Sequence, residues 1–127
     1  MRVPVNERNT GKSKRIEFRA PDPSANPYLA FSAIVAAGLD GIREKTDPGD
    51  PVNEDIYKLS DSKRRALGIK TLPRTLQDSI DALKSDQGYL KPYFSNELID
   101  SYIELKGKEI AFATGSKERQ FMLYYDT

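Results

Sequence analysis

The stretch Lys14-Arg15-Ile16-Glu17-Phe18-Arg19-Ala20-Pro21-Asp22-Pro23-Ser24-Ala25-Asn26-Pro27-Tyr28-Leu29-Ala30-Phe31 decides how the rest of the chain is read. Residues 15–20 alternate strictly between charged and apolar, the pattern of a β-strand. Pro21-Asp22-Pro23 ends that strand. Asn26-Pro27 then opens a helix, with an Asn cap and Pro at the first helical position. A strand is followed closely by a helix, and the polar motif lies just before the junction.

Toward the N-terminus, Arg2-Val3-Pro4-Val5 reads as a short extended piece that Pro4 confines to an edge or strand end. Asn6 to Lys14 is polar, basic and contains Gly11, so it is a loop. Residues 1–25 are therefore expected to form a β-hairpin. Toward the C-terminus, the helix runs from Pro27 to about Leu39 and on through Gly41 toward Lys45. It is apolar nearly all round and is expected to be buried beneath the two strands. Asp47-Pro48-Gly49-Asp50-Pro51 is a turn-rich break. Ser60 caps a short helix that stops at Gly68. Thr75-Leu76-Gln77-Asp78 resembles a capping box with Asp in place of Glu or Gln, followed by a stripe of Leu76, Ile80 and Leu83. Ser95 opens another helix, with Leu98, Ile99, Tyr102, Ile103 and Leu105 on its apolar face. The tail Phe121-Met122-Leu123-Tyr124-Tyr125 is an apolar end on a polar chain. The fold class expected is α+β: mainly helical over 26–127, with a two-stranded antiparallel β segment in 1–25.

On a strand, Arg15, Glu17 and Arg19 share one face and Ile16, Phe18 and Ala20 the other. Same-face neighbours lie roughly 6–7 Å apart. A carboxylate between two guanidiniums at that spacing suits a polyanion. The carboxylate can ligate a hard divalent cation, and each guanidinium can fork onto a phosphoryl or carboxylate oxygen. Arg2 on the partner strand and Lys12 in the loop add positive charge at the same end. A solvated sheet face with weak cross-strand ion pairs carries the same alternation, so the residues by themselves leave both readings open.

Composition narrows the chemistry. The 127 residues contain no His, Cys or Trp. That excludes an imidazole base, a thiolate nucleophile, a disulfide framework and His or Cys metal ligands from this chain. A bound metal is held by oxygen, which points to Mg²⁺, Mn²⁺ or Ca²⁺. Hydrophobic residues make up 38% and charged residues 31%, with a mean hydropathy of −0.63, so a self-sufficient core is not expected. Residues 1–25 hold six basic side chains against three acidic, whereas the remainder holds 14 against 16. That excess is too small, and too free of interleaved aromatics, for nucleic-acid binding. The longest apolar stretch, Tyr28 to Leu39, falls short of the ~20 residues a bilayer requires. No signal pattern opens the chain, and a cytoplasmic location is expected.

The motifs carry a resemblance. Glu17-Phe18-Arg19-Ala20-Pro21-Asp22 and Asn26-Pro27-Tyr28-Leu29 together resemble glutamine synthetase (type I), in the C-terminal part of its catalytic domain. The match continues through Ala36 to Ile42, Asp47 to Pro51, Asn53 to Leu59, Leu72-Pro73, Leu98 to Leu105 and Leu123 to Asp126. It covers nearly the whole chain, which is then a single partial domain over 1–127.

The resemblance implies roles. Glu17 looks like the family's metal-binding glutamate, whose Mg²⁺ or Mn²⁺ ion sits among the phosphates of ATP. Arg19 looks like the arginine that contacts glutamate at its reacting carboxyl and so serves catalysis. Arg2 and Arg15 resemble arginines on the ATP phosphate side, and Lys12 sits where the family has a nucleotide-contacting lysine. Tyr57 occupies the position of a tyrosine adenylylated in some bacterial members, whereas Ser60 to Leu72 resemble the branch not regulated in that way. The implied reaction forms γ-glutamyl phosphate from glutamate and ATP, after which ammonia displaces phosphate. Phosphoryl transfer of this kind needs positioning and charge neutralisation more than a protein nucleophile. The family's other metal-binding glutamates and its metal-binding histidine lie upstream of the matched part. The chain alone is therefore expected to be inactive. Its partners are a missing N-terminal portion or full-length subunits, in a homo-oligomer. The alternative is a non-catalytic truncated homologue acting as an interaction or oligomerisation module through its apolar tail.

Overall fold

A computed structural model describes residues 1, 3–4 and 15–125. Five helices follow one another: α1 (Pro27–Arg43), α2 (Asp61–Ala66), α3 (Leu76–Ser85), α4 (Asn96–Ala113) and α5 (Lys117–Tyr124). A 3₁₀ turn, Ile56–Lys58, precedes α2.

Each helix begins on a side chain that caps its free N–H groups. Asn26 accepts from the amides of Tyr28 and Leu29 at the start of α1. Ser60 caps α2, Ser95 caps α4 and Ser116 caps α5. At α3 the capping box is complete, with Thr75 accepting from the Asp78 amide and Asp78 from the Thr75 amide. The C-terminus of α2 closes with Gly68 at φ +65°, where the Ile69 amide reaches the Arg64 carbonyl at 3.0 Å. That of α1 uses the same geometry, with Lys45 at φ 52° and the Thr46 amide on the Gly41 carbonyl at 2.9 Å. Sequence periodicity placed both ends close to where they fall.

The core is thin. Ala36 of α1, Leu90 of the α3–α4 connection and Ile99 of α4 form its buried centre, flanked by Ala33, Leu83, Tyr89, Phe94 and Ile103. Ile80 is the buried member of the α3 stripe. The inward stripe of α4 runs Ile99, Ile103, Lys106, Ile110 and Ala113, at alternating spacings of four and three. It includes a lysine that apolar periodicity passes over. α3 and α5 both pack on α4.

Two expectations are corrected. The first is the α+β class, because no β-strand or sheet forms among the described residues, which are mainly helical. Residues 15–20 carry no regular ladder, only an isolated bridge position at Glu17. Ile16 and Phe18 are exposed, so the apolar side of the alternation joins no buried core among the described residues, and a two-stranded ribbon without a packed face is marginal in water. Of the expected partner segment, Val3 and Pro4 are not in a strand, and Arg2 and Val5 lie outside the described residues, as does the 6–14 loop. The second correction concerns α1. It was expected to be buried, yet only Ala36 is. Tyr28, Phe31, Val35, Leu39 and Ile42 form an exposed stripe along it, with Tyr28 at 82% and Ile42 at 76% accessibility. The helix turns Leu29, Ala30, Ala33 and Ala36 inward and this stripe toward solvent.

Candidate functional site: an Arg–Glu–Arg cluster before α1

Arg15, Glu17 and Arg19 come together as the alternation implies, although no sheet forms among the described residues. Arg15 donates to Glu17 Oε1 through Nε at 3.2 Å and Nη2 at 3.0 Å. Arg19 donates to Oε2 through Nη2 at 2.6 Å. Each partner is two residues away, so the cluster is assembled by local chain geometry. The Arg15 and Arg19 side chains are 64% and 73% accessible, against 21% for Glu17. The carboxylate is the least accessible of the three groups. The Arg19 hydrogen bond holds the Glu17 carboxyl below its ordinary range, partial burial opposes this, and Arg15 lowers it further.

The next turn fixes how this cluster meets α1. Asp22 Oδ1 accepts from the Ser24 amide at 2.9 Å and the Ser24 hydroxyl at 2.6 Å. The Ala25 amide donates to the Asp22 carbonyl at 3.0 Å, closing a turn directly before the Asn26 cap. The Ser24 bonds hold the Asp22 carboxyl low. Pro21-Asp22-Pro23, expected only to end a strand, thus also supplies the turn into α1. The turn was nevertheless legible, since Asp followed two residues later by Ser is an Asx-turn signal.

Arg2 and Lys12 lie outside the described residues. Tyr57 sits in the 3₁₀ turn, 88% accessible, with its amide capped by Asp55. An open apolar hollow lies between α1 and α4, lined by Leu29, Ala33, Leu83, Phe94, Ile99 and Tyr102 among others. It carries no charged side chain and does not suit phosphates or glutamate.

Glu17 supplies one carboxylate. No group of three acidic side chains that could hold a metal converges among the described residues. Mg²⁺ sheds its water reluctantly and is not retained by a single carboxylate. The residues therefore fit a metal ion as one oxygen ligand among several, and not as a complete site.

The family model described as "Glutamine synthetase, catalytic domain" matches residues 1–124. This chain belongs to the glutamine synthetase catalytic-domain family. It is 50% identical over 109 residues to the glutamine synthetase of Sulfolobus acidocaldarius, covering 86% of this chain and 23% of that protein. It is 42% identical over 130 residues to that of Streptomyces filamentosus, covering 99% and 27%. It is 45% identical over 113 residues to that of Archaeoglobus fulgidus, covering 88% and 23%. The chain thus spans about a quarter of the length of the curated relatives it matches. The resemblance to the C-terminal part of glutamine synthetase, carried by Glu17 to Asp22 and Asn26 to Leu29, is borne out. Among the described residues, no helix is long and apolar enough to cross a membrane.

Proposed function

We propose that this chain is the C-terminal catalytic segment of a glutamine synthetase-like, ATP-dependent glutamate–ammonia ligase. The observation that carries this reading is the Arg15–Glu17–Arg19 cluster within a stretch matched by the glutamine synthetase family. Arg19 holds the reacting carboxylate of glutamate and steadies the charge that builds there as phosphate is transferred. Arg15, with Arg2 and Lys12, holds the phosphates of ATP. Glu17 offers one oxygen ligand to Mg²⁺ or Mn²⁺. When bound, that ion supplies charge neutralisation among the phosphates. The residues act by orientation and by positive charge, so no nucleophile from this segment is required.

The chain works in the cytoplasm, within a homo-oligomer, joined to or complemented by the rest of the catalytic domain. The 127-residue chain alone makes no glutamine, since one carboxylate does not retain the metal. The test is glutamine formation by the purified chain alone and on co-expression with the N-terminal portion of a glutamine synthetase subunit. Activity is expected only in the second case, and Glu17→Ala abolishes it. Turnover by the chain alone overturns the inactivity, and full activity with Glu17→Ala overturns the metal role.

A second reading rests on the exposed end of α5, where Phe121 and Tyr125 stack at 4.1 Å beside an exposed Met122. On that reading the chain is a non-catalytic interaction module. Catalysis restored by complementation argues against it. Subunit binding without catalysis favours it.

A further inference from the structure

Positive charge in this chain is concentrated between α1 and α3. Residues 58–74 hold Lys58, Lys63, Arg64, Arg65, Lys70 and Arg74 against Asp61, whereas the rest of the chain holds 14 basic and 18 acidic side chains. Three of the six cations are partnered. Lys63 meets Glu54 at 2.6 Å, and Lys58 meets Asp55 and Arg64 meets Asp61, each at 3.7 Å. Arg65, Lys70 and Arg74 are exposed and form no ion pair among the described residues. The Gly68 amide bonds the Arg65 carbonyl at 3.0 Å, so Lys70 leaves the last turn of α2 close to Arg65. Residues 69–73 carry no helix or strand, and Arg74 lies at most ~13 Å beyond Lys70. Aliphatic surface is interleaved with this charge. Leu67 and Leu72 are 44% and 65% accessible. Beside Leu67 opens a hollow of about 330 Å³, lined by Pro51, Val52, Ala66 and Leu67 and by the acidic Asp50 and Glu54.

We propose that residues 58–74 and the hollow beside α2 form a docking surface for an acidic peptide segment that also carries aliphatic side chains. The partner's carboxylates meet Arg65, Lys70 and Arg74, and the two guanidiniums can each take one as a fork. Its aliphatic side chains cover Leu72 and enter the hollow beside Leu67. Glu54 is already held by Lys63, and Asp50 repels a carboxylate from the hollow. The partner therefore lies with its apolar side toward Leu67 and its charge toward Arg65 and Lys70. A nucleic acid fits less well. No aromatic ring lies within 58–74 for a base to stack on, and Glu54, Asp55 and Asp61 break the cationic track. Exposed charges of this kind set partner choice and association rate more than affinity, so the complex is salt-sensitive and readily reversed.

The test is fluorescence anisotropy with the full 127-residue chain and three labelled probes. They are a peptide repeating Glu-Leu-Glu-Ser, its counterpart with serine in place of leucine, and an oligothymidylate of equal charge. The leucine-containing peptide is expected to bind tightest, and added salt to weaken it. Arg65→Gln/Lys70→Gln/Arg74→Gln should lower its affinity about tenfold. Leu67→Ser/Leu72→Ser should lower it about fivefold, with less effect on the serine counterpart. Lys84→Gln/Lys91→Gln/Lys117→Gln removes the same charge from exposed positions elsewhere and should leave the affinity unchanged. Circular dichroism should show the helicity of all three variants unchanged, because the altered side chains are exposed. Absence of binding by the unaltered chain overturns the proposal. So does an equal loss in the Lys84/Lys91/Lys117 variant, since net charge alone then governs binding. Equal affinity for the serine counterpart removes the aliphatic contact and overturns it too. Tighter binding of the oligothymidylate assigns the surface to nucleic acid instead. Salt-sensitive self-association that the Arg65/Lys70/Arg74 variant abolishes, followed by sedimentation, assigns it to a second copy of this chain and likewise overturns the proposal.

Discussion

The Tyr124 hydroxyl donates a hydrogen bond to Glu109 Oε2 at 3.0 Å, tying α5 back onto α4. Glu109 also receives both bonds from Lys106 Nζ, at 2.9 and 2.7 Å, and that ammonium sits 5.9 Å from the centre of the Tyr102 ring. Lys106 is the charged member of the inward stripe of α4, and Glu109 is the counter-ion that lets it lie there. Below this cluster, Arg119 stacks over the Phe112 ring at 5.3 Å and donates to the Phe112 carbonyl. Polar contacts thus fix α5, which contributes no buried residue of its own.

Removing the hydroxyl should loosen this corner. Tyr124→Phe is expected to lower unfolding stability in urea by about 0.5–1 kcal/mol, the range of a half-exposed hydrogen bond to a charged group. Amide hydrogen exchange should rise in 117–124 before it rises in α4. An unchanged exchange pattern would show that the bond does not anchor the helix.

The same corner should respond to alkali. Partial burial, then the bond to Glu109 and its negative charge, push the Tyr124 phenol above its ordinary 10.0. The folded chain therefore holds the phenolic proton more tightly than the unfolded chain does. This contribution is fully present below 10.0 and is lost as pH rises through Tyr124's own higher value. The Tyr124 ring resonance, followed by NMR, should titrate above 10.0, with α5 exchange accelerating through the same pH interval. A titration at or below 10.0 would contradict the assignment.

Two helix ends make a matched pair. Lys45 and Gly68 both occupy the left-handed position after a helix, at φ 52° and 65°. Only glycine takes that conformation without strain from a side chain. Lys45→Gly should stabilise the chain by about 0.5–1 kcal/mol, and Gly68→Ala should destabilise it by about 1 kcal/mol. Thermal unfolding of the two variants checks the opposite signs. A loss of stability in Lys45→Gly would mean that the lysine side chain contributes more than its backbone strain costs.

The exposed stripe of α1 should be detectable directly. Tyr28, Phe31, Val35, Leu39 and Ile42 present a continuous apolar surface. The 127-residue chain should enhance the fluorescence of an apolar dye such as ANS, and Phe31→Ser/Val35→Ser should remove most of that enhancement. The double variant should change unfolding stability by less than about 0.5 kcal/mol, because neither side chain is buried. Undiminished dye binding would place the dye elsewhere.

The capping residues were the most legible part of this chain. Asn26, Ser60, Thr75 and Ser95 act through bonds to amides two or three residues away, and such bonds are written in local sequence. The grouping of Arg15, Glu17 and Arg19 was legible for the same reason. Burial was not. The residues of α1 read as a helix buried on every side, but a helix buries only what neighbouring elements reach, and only Ala36 of α1 joins the buried core, with Ala33 packed against it. The expected hairpin failed similarly, since alternation states which side chains share a face but not whether a ladder and a packed layer exist to hold it. Lys106 was missed because a charge at an inward position is unreadable until its counter-ion, Glu109, is seen beside it.

The Arg15–Glu17–Arg19 contacts each close over two residues, so they draw on no helix and no core contact. The chemical part of this chain is therefore portable in a way its scaffold is not. A short peptide spanning 15–19 holds the same three groups in the same sequence relation, and damage to the thin core leaves that relation intact. What the scaffold adds is address: through the Asp22–Ser24 turn and the Asn26 cap, it fixes where a self-contained cluster of charges is delivered.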